Sequence, residues 1–311
     1  MKHVFGPVPS RRLGFSLGVD PVVPKTCTLD CVYCELGPTT ECTVERKAYV
    51  PVDGILEELA ARLAEGPDLD FITLSGSGEP TLNSDIGRLI DGIKAITDKP
   101  VAVLTNGTLL TDPGVREALA RADVVAPSID AVSQEVFERV NRPHPSLSAA
   151  AIVDGLKTFA RDYRGRIWLE VVFVEGLNDD SGEVERIAGI IDAIEPDKVH
   201  VNTVVRPPAV SSARPLSHER LSEIAARLGP RADVIARPTG PSQSSVAADV
   251  AEVVASMAER RPVTVIDVAR TAGLSAAAAA KLLNQLVDDG VLSVVRHGET
   301  VYYGRRERGC Q

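Results

Sequence analysis

The chain has 311 residues, 44% of them hydrophobic and 25% charged, and its 34 basic against 43 acidic side chains leave a net charge of −9. That length buries a large core without disulfide staples, and that composition excludes a chain that is mainly disordered. The acidic balance argues against non-specific coating of nucleic acid, though not against a local basic groove.

In chain order, Arg12–Val23 reads as a first strand, and Pro51–Glu65 as an amphipathic helix. Phe71–Ser75, Val101–Thr105, Val124–Ser128, Ile167–Val174 and Lys198–Val205 are short apolar runs of the kind found in strands buried on both faces. Helical patterns fill the intervals at Ser84–Thr97, Asp112–Arg121, Ser133–Arg139, Ser148–Tyr163 and Ser181–Ile194. Alternation of this kind signals about six parallel β/α units. Leu216–Leu228 adds a helix, and Asp233–Ala236 an extra strand.

Arg237–Ser245, rich in Pro, Gly and Ser, reads as a linker, dividing the chain into 1–240 and 246–311. Beyond it come helical patterns at Val246–Arg260, Val263–Thr271 and Ser275–Asp289. Two strand-like segments around His297-Gly298 then form a hairpin signal. This is the order of a winged helix-turn-helix. Residues 246–311 carry eight basic and eight acidic side chains, and the helix in the recognition position is mostly alanine. Such a helix offers little to base edges, so packing or protein contact is expected of this module more than nucleic-acid contact.

No apolar run is long enough to span a bilayer, and the first residues lack the apolar stretch of a signal peptide, so a cytoplasmic, non-membrane protein is expected. Five cysteines do not make a disulfide framework. Cys27, Cys31 and Cys34 share one loop after the first strand, with Cys42 near and Cys310 distant. Three thiolates this close suit a common metal centre. Structural zinc needs a fourth ligand, for which Cys42 is the near candidate; a four-iron cluster held by three cysteines leaves one iron open.

The segment CTLDCVYC, with Tyr33 before its last cysteine, resembles the CxxxCxxC motif of the radical S-adenosylmethionine (SAM) enzymes. The resemblance covers about residues 1–240. It implies a partial (β/α)6 TIM-type barrel, a [4Fe-4S] cluster on Cys27, Cys31 and Cys34, and SAM as the second cofactor. It also implies reductive cleavage of SAM and hydrogen abstraction from a substrate. Gly76-Ser77-Gly78-Glu79-Pro80 is similar to the family's GGEP loop, with Ser77 as a departure. By the same resemblance Asn106, Ser128, Asp130 and Asn178, each after a strand, are expected to contact SAM. Arg11, Arg12, Lys25, Arg142, His144 and Arg206 are candidates for a cationic rim.

Segments such as GPVPSRRLG, NRPHP and NTVVRPP are similar to a poorly characterised group related to the tRNA wybutosine-synthesis enzymes. That likeness makes a modified nucleoside in RNA the first expected substrate. A protein- or peptide-directed radical enzyme and an Fe–S redox-sensing regulator are the competing readings. The chain shows no flavin or nicotinamide fingerprint, so a reducing partner such as a flavodoxin or ferredoxin is expected.

Overall fold

The computed structural model describes residues 3–10, 12–236 and 250–305. Arg11, the linker segment 237–249 and Cys310 lie outside the described residues.

The chain opens with β1 (Val4–Ser10) and β2 (Gly14–Val19), followed by a short parallel pair, β3 (Thr26–Cys27) and β4 (Glu41–Cys42). Then come α1 (Val52–Ala64), β5 (Phe71–Leu74), α2 (Ile86–Ile96), β6 (Val101–Thr105), α3 (Pro113–Leu119) and β7 (Val124–Pro127). Helices α4 (Gln134–Asn141) and α5 (Ala149–Asp162) precede β8 (Arg166–Phe173), α6 (Ser181–Ile194), β9 (Lys198–Thr203), α7 (His218–Leu228) and β10 (Ala232–Val234). Side-chain caps start several helices: Asp112 at α3, Ser148 at α5, Asp180 at α6 and Ser217 at α7 each accept from backbone N–H groups of the first turn.

One sheet holds eight strands in the order β1-β2-β5-β6-β7-β8-β9-β10. All neighbours from β2 onward pair in parallel, and β1 pairs antiparallel with β2. The expected six β/α units are present, and β1 adds an edge strand that the sequence reading did not include. Its Gly and Pro content hides the alternation that marks a strand.

Side chains alternate across the sheet with period two. Val101, Val103, Val125, Leu169, Val171, Val199 and Val201 face outward into the main core against the helices. Their neighbours face the barrel interior. Leu13, Ala102, Val124, Ala126 and Trp168 make its apolar floor. Above it the interior turns polar, with Ser16, Thr73, Glu170 and Asn202 at the walls.

The C-terminal unit comprises α8 (Val250–Arg260), α9 (Val265–Ala272), α10 (Ala276–Asp288) and a hairpin of β11 (Leu292–His297) with β12 (Thr300–Arg305). Thr264 and Asp267 form a capping box at the start of α9. The unit has its own core around Val254, Met257, Leu283 and Tyr303. It packs on the barrel through α8 and α9 against β1. The hairpin adds a hydrogen bond from the Tyr302 hydroxyl to the Val205 carbonyl. The small residues of α10 offered a packing or protein-contact surface, and Ala276, Ala277 and Ala278 are exposed. Among the described residues, no helix is long and apolar enough to cross a membrane.

Candidate active site

The functional candidates converge because parallel strands deliver their following loops to one edge of the sheet. Asp20 follows β2, Gly76–Pro80 follow β5, Asn106 follows β6, Ser128 follows β7, Asn178 follows β8 and Arg206 follows β9.

Two loops knit together at this edge. The Lys25 N–H donates to the Ser77 carbonyl at 2.6 Å, and the Glu79 N–H to the Thr26 carbonyl at 3.0 Å. Gly78 is required at the crossing, since a Cβ there would lie 2.0 Å from the Thr26 carbonyl oxygen. Gly76 has φ +146°, and a Cβ there would meet the Asp20 carboxylate at 2.3 Å. Asp20 in turn accepts from the Ser77 N–H at 3.0 Å and the Ser77 hydroxyl at 2.6 Å. The glycine-rich loop is thus locked to both the cysteine loop and the end of β2.

Cys27, Cys31 and Cys34 are free thiols, each half-buried, and near enough to influence one another's ionisation. Burial, reinforced by the Glu79 carboxylate, pushes the Cys27 thiol up to about 12. Burial, and then Asp130, also push the Cys31 thiol well above its usual range. Ligation therefore has to release protons, as metal binding to thiols does. Two sulfurs receive side-chain amides: Asn106 Nδ2 lies 3.5 Å from Cys27 Sγ, and Asn141 Nδ2 lies 3.4 Å from Cys31 Sγ.

Among the described residues, no three His, Cys, Asp or Glu side chains converge on a single ion. Zinc holds its ligands about 2.0–2.3 Å from one point. A four-iron cluster takes each thiolate on a different iron and so needs them spread. Cys42 is exposed and donates to the Thr28 carbonyl at 3.7 Å. Three soft thiolates on one loop are a donor set that suits an iron–sulfur cluster.

The remaining expected residues take three kinds of place. Tyr33 donates its hydroxyl to Asp130, which also accepts from Asn141 Nδ2 at 2.7 Å and the Val172 N–H at 2.8 Å. Burial raises the Asp130 carboxyl to about 6 despite these bonds. Asn106 and Ser128 border a small hollow with Asp130 and Asn141. Glu79 and Asn178 are fully engaged by the protein itself. Glu79 accepts from Thr81, the Thr105 hydroxyl at 2.7 Å and the Asn106 N–H at 2.7 Å. Asn178 binds the backbone of Val174, Asp130 and Val172.

The expected cationic rim does not form as one band. Arg12 lies in the barrel interior, paired with Glu170. Arg206 is buried between Glu35, at 3.2 Å, and Asp267 of α9, at 3.6 Å. Arg142 and His144 do not line the interior cavity: Arg142 is exposed and His144 half-buried, its ring nitrogen hydrogen-bonded to the Ser146 hydroxyl at 2.8 Å. The sequence reading missed Asp20, Asn141, Glu170 and Asn202. A lone Glu in the apolar run IWLEVVFV, and an Asn in KVHVNTVV, were the available signals.

A cavity of about 320 Å³ opens above the barrel floor, lined by Tyr33, Cys34, Ser75 and Gly76 on the loop side. Residues 22–188 match the radical SAM superfamily, which is more than half of the chain. The chain belongs to the radical SAM superfamily.

Radical SAM proteins are enzymes that use a [4Fe-4S] cluster and S-adenosylmethionine, and these are the cofactors of this chain. The chain is 38% identical to a UPF0026 protein of Synechocystis over 66% of its own length and 76% of the relative's. It is 31% identical to a UPF0026 protein of Methanocaldococcus jannaschii over 73% of this chain and 71% of that one. It also matches a protein of Brachyspira hyodysenteriae named GTPase Obg, at 40% identity over 71% of this chain but only 33% of that one.

Among solved structures, Streptococcus suis SuiB bound to its precursor peptide SuiA superposes with a TM-score of 0.54 at 15% identity, over 74% of this chain and 51% of that one. A radical SAM methyltransferase from Sphaerobacter thermophilus gives 0.52 at 19% identity, over 70% and 65%. These two likenesses establish the shared barrel fold.

Proposed function

We propose that this radical SAM enzyme holds its cluster on Cys27, Cys31 and Cys34 and cleaves SAM reductively to abstract hydrogen from a substrate in the barrel interior. The observation that carries the reading is the knitting of the cysteine loop to the Gly76–Pro80 loop at the carboxyl edge of the sheet. When bound, the cluster supplies the electron that splits SAM into methionine and a 5′-deoxyadenosyl radical, which takes a hydrogen atom from substrate.

The protein's own groups orient and tune. Asn106 and Asn141 place amide N–H groups beside two of the sulfurs. Tyr33 is pinned by Asp130. The Gly76–Gly78 loop would lie against the methionyl end of SAM, its shape fixed by Asp20, which accepts from the Ser77 N–H and hydroxyl. Glu79 holds Asn106 and Thr105 in place, while Ser128 and Asp130 border the adjoining space. Asn178 braces the β8 loop against Asp130. The apolar floor under the polar walls excludes water from the radical's path. Members of the family need a reductant, and an external donor such as a flavodoxin or ferredoxin fills that part.

The test is anaerobic. The cluster is reconstituted, dithionite and SAM are added, and 5′-deoxyadenosine is measured by chromatography beside the Cys27/Cys31/Cys34→Ala variant. Formation by the wild type alone supports the reading. A cluster that neither binds nor cleaves SAM would favour a redox-sensing regulator instead.

A further inference from the structure

The interior cavity does not end at the barrel's own strands. Arg260 and Arg261, at the end of α8 and just beyond it, line it opposite the cysteine loop. A second hollow of about 390 Å³ lies outside, at the seam between the C-terminal unit and the barrel, with Ile266, Arg270 and Thr300 on its outer side. Pro9, Ser10, Val205, Arg206 and Arg261 line both hollows. The seam therefore carries two adjoining hollows, one outside and one beside Tyr33 and Cys34. It runs between β1 at one edge of the sheet and the end of β9 near the other.

Both hollows are rich in arginine. Arg206, Arg261 and Arg270 face the outer hollow, against the single carboxylate of Asp267. Arg12, Arg206, Arg260 and Arg261 face the inner one, against Glu35 and Glu170. Asp20 answers Arg260 from behind the wall at 3.7 Å. Burial alone would raise the Asp267 carboxyl, but the Arg261 and Arg206 guanidiniums hold it below the usual range, so one carboxylate serves two cations at the neck. Across the two hollows, Arg12, Arg206, Arg260, Arg261 and Arg270 outnumber the lining carboxylates Glu35, Glu170 and Asp267.

We propose that the seam is the substrate entrance and that the substrate is a small molecule bearing a carboxylate or phosphate group, received by Arg261 at the neck and drawn in by Arg270. The proposal rests on the radical SAM reading, which is what requires a substrate inside the barrel. A guanidinium fork matches either oxyanion with two parallel hydrogen bonds. Size selects a small molecule. The seam is tied across by the Tyr302 hydroxyl on the Val205 carbonyl and by Arg206 Nε on the Pro262 carbonyl at 2.9 Å. The inner hollow also has to hold the reacting end of the substrate beside SAM. The C-terminal unit is then a wall of the active site.

The experiment uses the full-length, cluster-loaded protein with SAM present. It is titrated calorimetrically with inorganic pyrophosphate, with citrate and with a single-stranded RNA dodecamer. One of the two small anions binds, and which one tells phosphate from carboxylate. Arg261→Gln weakens that binding at least tenfold, Arg261→Lys retains most of it, and Arg88→Gln on the outer face of α2 leaves it unchanged. In the wild type, the bound anion slows hydrogen exchange in residues 261–270 and 204–206 but not in 277–285, a readout that stands even where a variant folds poorly. The proposal is overturned if neither anion binds, if Arg261→Gln binds as well as wild type, or if protection falls elsewhere. It is equally overturned if the RNA binds more tightly than both anions and loses affinity in Arg261→Gln, which makes nucleic acid the occupant. SAM cleavage by the same wild-type sample is scored separately: its absence alongside Arg261-dependent anion binding sinks the radical SAM reading and leaves the anion site standing.

Discussion

The side-chain amide of Asn141 donates to the sulfur of Cys31 at 3.4 Å, from the last residue of α4. The same Nδ2 reaches Asp130 Oδ2 at 2.7 Å, so the amide is fixed between a thiol and a carboxylate. An N–H aimed at a cluster sulfur offsets the negative charge gained on reduction and so raises the potential. Asn141→Leu should assemble its cluster with the wild-type iron content and show a more negative midpoint in EPR-monitored titration. An unchanged midpoint would remove Asn141 from the cluster's surroundings.

The division of labour among the cysteines is directly measurable. Cys27→Ser, Cys31→Ser and Cys34→Ser should each lose the visible charge-transfer band and most bound iron after reconstitution. Cys42→Ser should keep both, because that thiol is exposed and directed at the Thr28 carbonyl. Equal loss in all four variants would point to a four-thiolate site.

Gly76 has neither the space nor the backbone angle for a side chain. A residue other than glycine in that conformation costs on the order of 1–3 kcal/mol, before the clash with Asp20 is counted. Gly76→Ala should lower Tm by several degrees and weaken SAM binding at least tenfold, by displacing the loop that Asp20 holds through Ser77. Thermal unfolding and SAM titration of the loaded protein check both, and wild-type values in both would place the loop away from SAM.

Acid stability should carry the mark of His200. Burial, and then the Arg12 guanidinium, hold its imidazole down at about 4. The unfolded chain protonates this group near 6.5, before the folded chain does. The contribution is therefore whole above about pH 6.5 and is lost as the pH falls towards 4. At pH 5 the loss is about 2 kcal/mol. Urea midpoints at pH 7 and pH 5 should diverge more for the wild type than for His200→Gln, and parallel losses would assign the effect to another group.

The site's chemistry was legible where it depended on local spacing. Three cysteines within one loop and a glycine-rich loop after a strand are local features, and alternating apolar runs give parallel β/α units. The barrel interior was harder to read. Glu170 lies 158 residues along the chain from Arg12, and Asn202 a further 32, and each looks like an isolated polar residue in a strand until the sheet brings them onto one cavity.

Local order also fixed the identity of the C-terminal elements, since caps and a turn specify helices and a hairpin by short-range bonds. Their destination was a tertiary matter. The small-residue face of α10 suggested a packing surface, but α8 and α9 took that place against β1. The reason is physical. Burial of Arg206 and Arg260 requires carboxylate partners; Asp267 meets Arg206, and Asp20 meets Arg260, only when the seam between barrel and C-terminal unit is formed. The sequence by itself determined which cofactors this protein handles, because cluster ligation is written in a few neighbouring residues. Only the tertiary structure decided what walls the cavity, because charge pairing across 171 residues between Glu35 and Arg206 has no local signature.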